Sequence, residues 1–334
     1  MQQELERRIL TINTNRFIFL KNFDWQKNAA FIVLIILIII SSFLSPYFLR
    51  IQNLLNILRQ ISYTGIIALG MTFVIIGGGI DLSVGSMSAF IGSVVILFMN
   101  YMGNFALNSY IVIFIAILSG IIIGAAVGAF NGILITKGKI APFIVTLGSM
   151  AIFRSLALFI GNAGEIRSLN YAYGGLGMKT IMFIPLPVWI MLVLATILSF
   201  LLNNTRYGRY ICAVGSNRNV AIFSAINVNY VSAFSYILTG IMVAVSSILL
   251  ASRFNAVSTS NMGMGTELDA IAAVIVGGTM LSGGRGTVWG TVFGAIMLGV
   301  INNMLNMVGV SPYLQGTVKG LVIIGAVYIQ RQKQ

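Results

Sequence analysis

The chain divides into stretches of about twenty apolar residues with almost no charge, the length and character a helix needs to cross ~30 Å of hydrocarbon. Residues 29–47, 61–77, 85–101, 109–135, 142–160, 181–202, 231–251, 267–281, 288–308 and 316–330 read this way. Only 8% of the 334 residues are charged, and mean hydropathy is +0.96. Soluble domains carry about 25% charged residues, so water is the wrong solvent for most of this surface. The pattern predicts an all-α polytopic membrane protein with about ten transmembrane helices over 29–330. The stretches at 85–101 and 267–281 are short and follow Gly-rich segments, so each is either a full span or a broken helix entering part way.

Basic residues orient such a chain, because cytoplasmic loops collect Lys and Arg. With both ends cytoplasmic, Arg50, Arg59, Arg167, Lys179 and Arg253 fall outside, and Arg154 and Lys319 lie within spans. The other thirteen of the twenty basic residues fall inside. The net charge of +13 therefore serves topology, not nucleic acid. Residues 1–28 read as a cytoplasmic tail preceding an uncleaved first span, and 331–334 as a cytoplasmic end. Short echoes point to an inverted repeat of spans 2–5 and 7–10. Thr64-Gly65-Ile66-Ile67 resembles Thr239-Gly240-Ile241-Met242, and Asp81-Leu82 answers Leu268-Asp269. Asn131-Gly132 with Ala141-Pro142-Phe143 is likewise echoed by Asn302-Asn303 with Ser311-Pro312-Tyr313.

The polar inventory excludes much chemistry. The chain has no His, one Cys and seven carboxylates. Ser-His-Asp triads, His- or Cys-ligated zinc, haem and disulfides have no residues to build them. No metal, cofactor or enzymatic activity is expected. Gly77-Gly78-Gly79-Ile80-Asp81-Leu82-Ser83 ends one helix and places Asp81 and Ser83 to cap the next. The alternative is that an acid at membrane depth marks a polar pathway. Thr266-Glu267-Leu268-Asp269 reads as a capped, ion-paired helix start, with both acids at the positive end of the helix dipole. Val276-Gly277-Gly278 through Gly286-Thr287 lacks the Gly-Lys-Ser/Thr of a nucleotide loop, so its glycines serve tight turns and close helix contacts. The basic loop 203–229 reads either as a solvated cytoplasmic loop or as a docking element for a cytosolic partner.

Five segments together resemble the permease subunits of ribose/galactose-type sugar ATP-binding cassette importers. They are Gly79-Ile80-Asp81-Leu82-Ser83-Val84-Gly85-Ser86; Thr205 through Arg209 with Ala213-Val214-Gly215; and Glu267 through Ala273. The others are Gly277-Gly278-Thr279 with Gly283-Gly284-Arg285-Gly286, and Asn302-Asn303 through Gln315. They occur in the family's order across roughly residues 29–330. The resemblance implies a chain in the bacterial cytoplasmic (inner) membrane that pairs with a second permease chain, identical or sister. It implies a cytosolic ATP-binding subunit that drives transport and a periplasmic or extracellular binding protein that delivers a monosaccharide. It also implies a coupling helix within Val214–Asn227, with Arg209, Gly215, Asn217, Ala221 and Ser224 as candidate coupling residues. The family's Gly-Gly-Asn is Gly215-Ser216-Asn217 here, and its Ser-Gly-Ile is Ser224-Ala225-Ile226. Candidate pathway residues are Asp81, Ser83, Asn131, Asn302 and Asn303, each with a plain alternative as a cap or an interhelical bond. A nucleoside or other polyol-like cargo is the alternative within this architecture. An ion-driven secondary sugar transporter is the alternative outside it, disfavoured because the acids fall at span ends.

Overall fold

The computed structural model describes residues 25–105 and 107–331. Its helices are α1 (Trp25–Leu44), α2 (Ile51–Ile76), α3 (Val84–Met102), α4 (Ser109–Thr136), α5 (Pro142–Ile160), the short α6 (Gly174–Met178) and α7 (Leu186–Asn204). They continue with α8 (Arg206–Ser216), α9 (Arg218–Phe223), α10 (Val228–Phe254), α11 (Thr266–Val276), α12 (Val288–Met307) and α13 (Pro312–Arg331). Each of the ten apolar stretches overlaps a helix, though 181–202 opens in short extended segments before its helix and 267–281 runs past the end of its own. Among the described residues, seven helices are long and apolar enough to cross a membrane: α2, α3 with its 3-10 extension to Phe105, α4, α5, α7, α10 and α12. The stretch at 85–101 is thus full length. That at 267–281 is helical for only 11 residues, about 16 Å at 1.5 Å per residue, half a bilayer core. Helix α1 begins at Trp25, inside the expected tail, because Gln26, Lys27 and Asn28 tolerate a helix before the chain turns apolar. Residues 1–24 and 332–334 lie outside the described residues.

Two long helices form the centre. From Ile61 to Ile76 helix α2 is buried except at Thr64, and α10 is held on several sides by hydroxyls reaching neighbouring backbones. Ser246 Oγ donates to the Tyr63 carbonyl of α2 and Ser247 Oγ to Ser88 of α3, each at 2.7 Å. Helices in lipid gain nothing from expelling water between them, so small residues and such bonds do the joining, each bond adding about 0.6 kcal/mol on average. The tightest pairing is α4 on α10. Gly120, Gly124, Gly128 and Gly132 recur every fourth residue down one face of α4. A Cβ on Gly124 would strike the Gly240 carbonyl, and one on Gly128 the Tyr236 carbonyl. Helices α4, α5 and α7 turn large apolar side chains outward, among them Phe114, Leu118 and Ile122, and Val193, Ile197 and Phe200. Hydrocarbon is the solvent that tolerates this face.

Short extended segments close one end of the bundle. β1 (Glu165–Arg167) pairs antiparallel with β4 (Ala256–Ser258), with Ile166 opposite Val257. β2 (Thr180–Ile181) pairs with β3 (Ile184–Pro185). From α5, Arg154 reaches this end and its Nη1 donates to the Thr259, Ser260 and Met262 carbonyls at 3.0–3.3 Å. Its charge is spent on backbone dipoles where the chain must turn.

Candidate functional site

Three polar centres emerge, and they divide the sequence-predicted residues between them. The first is at the break between α2 and α3. Gly77 ends α2, and Gly78 takes φ +81°, a region open to glycine. The chain then turns so that Asp81 Oδ1 accepts from Ser83 N at 2.9 Å and from Ser83 Oγ at 2.5 Å. Asn131 of α4 donates Nδ2 to Ser83 Oγ at 2.9 Å, and Ser149 of α5 donates Oγ to Asn131 Oδ1 at 2.5 Å. Asp81, Ser83 and Asn131 are each 0% exposed. The structure therefore brings together three of the five expected pathway residues, inside a closed bracket joining α3, α4 and α5. Ser83 sits at the N-cap without a side-chain capping bond; its hydroxyl is committed sideways to Asp81. The expected cap is an Asx-type turn instead.

The second centre is a cavity of about 120 Å³ where α2, α11, α12 and α13 meet. Each helix contributes residues at one-turn spacing, which places them on a single face: Gln60 and Thr64, Asp269 and Ala273, Asn302 and Asn306, Gln315 and Lys319. Lys319 Nζ lies 2.9 Å from the Asp269 carboxylate. This is the ion-paired helix start expected of Asp269. The expected cap Thr266 is not one: Gly265, left-handed at φ +73°, holds the N-cap position, and Thr266 is the first helical residue. Asn302 faces the cavity, and its Oδ1 is buried without a partner. Asn303, one residue on, points elsewhere and exchanges two bonds with Asn53 of α2, at 2.9 and 3.1 Å. With the Thr72–Thr291 hydroxyl pair at 2.7 Å, it ties antiparallel α2 to α12 on either side of the cavity.

The third centre is the 203–229 loop, which forms α8 and α9. Amphipathic α8 buries Ile211 and Val214 and exposes Arg206 and Arg209. Asn217 caps α9, its Oδ1 accepting from Asn219 N and Val220 N at 3.0 and 3.1 Å. Of the five coupling candidates, Arg209, Asn217 and Ser224 face outward, Ala221 is buried and Gly215 half-buried. Gly215 lies where a Cβ would run into the Ile76 carbonyl, with Gly284 N 2.6 Å away. Gly284 N in turn donates to the Ile76 carbonyl at 2.8 Å. Three chain segments meet there by their backbones: the end of α2, the end of α8 and the loop between α11 and α12. The breaks after α2 and α11 also share one hydrogen-bond pattern, with Gly78 N on Ile75 O and Gly79 N on Val74 O matched by Gly278 N on Ile275 O and Thr279 N on Val274 O. The short echoes in the sequence pair α2 with α10; this geometric echo pairs the end of α2 with that of α11. Beyond the capped start of α9, Val220, Ile222 and Phe223 are 58%, 54% and 89% exposed. Sequence reading passes over them, although a Val-Ala-Ile-Phe run in a polar loop is the signal.

The family described as "Branched-chain amino acid transport system / permease component" matches residues 53–327. The chain belongs to this permease family. The permease is 44% identical over 310 residues to the ribose import permease protein RbsC of Bacillus subtilis (strain 168), covering 92% of this chain and 94% of that one. It is 39% identical over 313 residues to RbsC of Escherichia coli (strain K12), covering 92% and 95%. It is 37% identical over 308 residues to the D-allose transport system permease protein AlsC of the same strain, covering 92% of each. No solved structure matches the chain. The relatives are transport permeases, not enzymes.

Proposed function

We propose that the permease is the membrane subunit of an ATP-binding cassette importer for a monosaccharide of the ribose type. The observation that carries this is identity of 44% and 39% with two ribose import permeases over more than nine-tenths of every chain compared. In this reading a binding protein delivers sugar from outside, a second permease chain completes the pathway, and ATP-binding subunits dock on α8 and α9 in the cytoplasm. The exposed Val220, Ile222 and Phe223, together with the exposed Arg209 and Arg218 on the same loop, suit a groove with apolar floor and acidic rim. ATP must bias the inward and outward states unequally for transport to be coupled. The chain sits in the bacterial inner membrane as ten embedded helices, α11 a half-helix, with both ends cytoplasmic and an inverted repeat relating spans 2–5 to 7–10. Asn302 belongs to the pathway wall, and Asn303, bonded to Asn53, holds α12 on α2 beside it. Asp81, Ser83 and Asn131 brace it.

The test is uptake of labelled ribose, allose, galactose, xylose, arabinose, a nucleoside and leucine in cells with and without the gene. Leucine is included because the family's description names branched-chain amino acids. Loss of one monosaccharide, sensitive to ATP depletion, supports the reading. Loss of leucine or nucleoside uptake alone overturns the cargo, and loss that follows an uncoupler at constant ATP overturns the energy source.

A further inference from the structure

We infer that the cavity between α2, α11, α12 and α13 is a hydroxyl-reading site that the sugar occupies in transit, an inference that rests on the cargo reading above. The chemistry of its wall is specific. Gln60, Asn302 and Gln315 supply carboxamides, and Thr64 a hydroxyl. Each of these groups both donates and accepts, as a ring of alcohols requires. Charge enters only as a closed pair, Lys319 on Asp269 at 2.9 Å. The site thus carries no net charge to match an anion, a cation or one end of a zwitterion. Among these polar groups, buried Ile61 and Leu298 also line the cavity and offer an apolar surface for the C–H face of a ring.

One atom in the cavity requires a ligand more than the rest. Asn302 Oδ1 is buried and accepts no hydrogen bond, while neighbouring Gln315 has already committed its Nε2 to Asn306 Oδ1 at 2.7 Å. An unmatched buried carbonyl is costly, and a donor entering the cavity relieves that cost. Water or a sugar hydroxyl both qualify. At roughly 30 Å³ per liquid water, 120 Å³ takes a small cluster of waters or the hydroxyl-bearing edge of one small sugar. The position is also suited to transit. Asp269 lies in the first turn of the half-helix α11, whose far end leads into the loop that meets α8. A shift of the cytoplasmic contact therefore reaches the cavity through a rod about 16 Å long.

Cys212 is the only cysteine, so Cys212→Ser gives a thiol-free parent. Into it we would place Asn302→Cys, Gln60→Cys and, as a control at the exposed end of α4, Lys137→Cys, and assemble each with the ATP-binding subunit and the binding protein in lipid vesicles. The probe is methyl methanethiosulfonate, during ATP turnover, with and without the sugar that the parent imports. A site filled at ten times its Kd is shielded about tenfold. Slowing of that order in the Asn302→Cys and Gln60→Cys variants, absent with leucine and absent for the Lys137→Cys control, supports the inference. Unchanged modification rates in vesicles that import the sugar overturn it, as does complete inaccessibility of both introduced thiols through turnover. If Asn302→Cys fails to assemble, Gln60→Cys, on an exposed residue, still gives the reading. A parent that takes up leucine and no sugar overturns the cargo reading itself, a different result from an importer that works without shielding.

Discussion

Replacing Asn131 with alanine separates a brace from a substrate contact. The substitution removes the acceptor of Ser149 Oγ and the donor to Ser83 Oγ, at 2.5 and 2.9 Å. Both hydroxyls lie among residues no more than 1% exposed, so water does not replace the lost partner. Each unmatched buried group costs about 1–3 kcal/mol. Ser83 keeps its bond to Asp81, so only Ser149 loses its partner outright, and the expected destabilisation is about 2–3 kcal/mol. The assay is equilibrium unfolding of the purified permease in mixed micelles, for Asn131→Ala, Ser149→Ala and the double variant. Coupling between the two is expected near 1 kcal/mol, within the range of interhelical bonds in membranes. Additivity to within about 0.3 kcal/mol, with wild-type stability and abolished sugar uptake, would refute the bracing role and return Asn131 to the pathway.

Other perturbations read other parts of the structure. Ala225 sits at φ +58°, where an L-residue pays about 1–2 kcal/mol that glycine does not. Less the extra freedom glycine has when unfolded, Ala225→Gly should stabilise the permease by about 0.5–1 kcal/mol without altering uptake; a loss of stability would mean the turn has another shape. Gly215→Val is not a clean uncoupler, because the Ile76 carbonyl leaves no space for any Cβ; the variant should lower assembly as well as coupled ATP hydrolysis, seen as reduced copurification of the ATP-binding subunit. Phe223→Ser with Ile222→Ser removes exposed apolar surface only, and should weaken that copurification while leaving the permease's own unfolding midpoint unchanged. Burial pushes the Cys212 thiol up. Its thiolate is therefore scarce at neutral pH, and alkylation should keep accelerating above the pH where a free cysteine levels off; a plateau at the ordinary thiol range would show α8 detached.

How much of this was legible in the chain depends on the distance over which each feature is set. The helices were legible because hydrocarbon demands about twenty apolar residues in succession, a local property. The end of α11 was misplaced: the apolar stretch was read through to 281, past Gly277-Gly278, whereas the helix stops at Val276. The expected cap at Thr266 failed because left-handed Gly265 took that position, a backbone choice that side-chain preference does not reveal. The pairing of β1 with β4 joins three-residue strands some ninety residues apart, with no pattern in either. At the site, Asp81, Ser83 and Asn131 were marked by being polar where polar residues are expensive, but Ser149 was one serine among many until α5 brought it to Asn131. The four-residue spacing of Gly120 through Gly132 was a readable signal for the α4–α10 contact, hidden only by the abundance of glycine, 36 in all. The cavity residues recur at one-turn intervals on four helices, yet periodicity within a helix does not say which helices will face one another.

The central claim, that this chain is the membrane path of an ATP-driven sugar importer, is tested most directly by reconstitution. The permease, its ATP-binding subunit and its binding protein would be placed in sealed vesicles with labelled ribose outside and ATP on the cytoplasmic face. Accumulation of ribose above its external concentration, abolished by withholding ATP and indifferent to a collapsed proton gradient, is the predicted result. Accumulation that persists without ATP and vanishes with the proton gradient would contradict the claim.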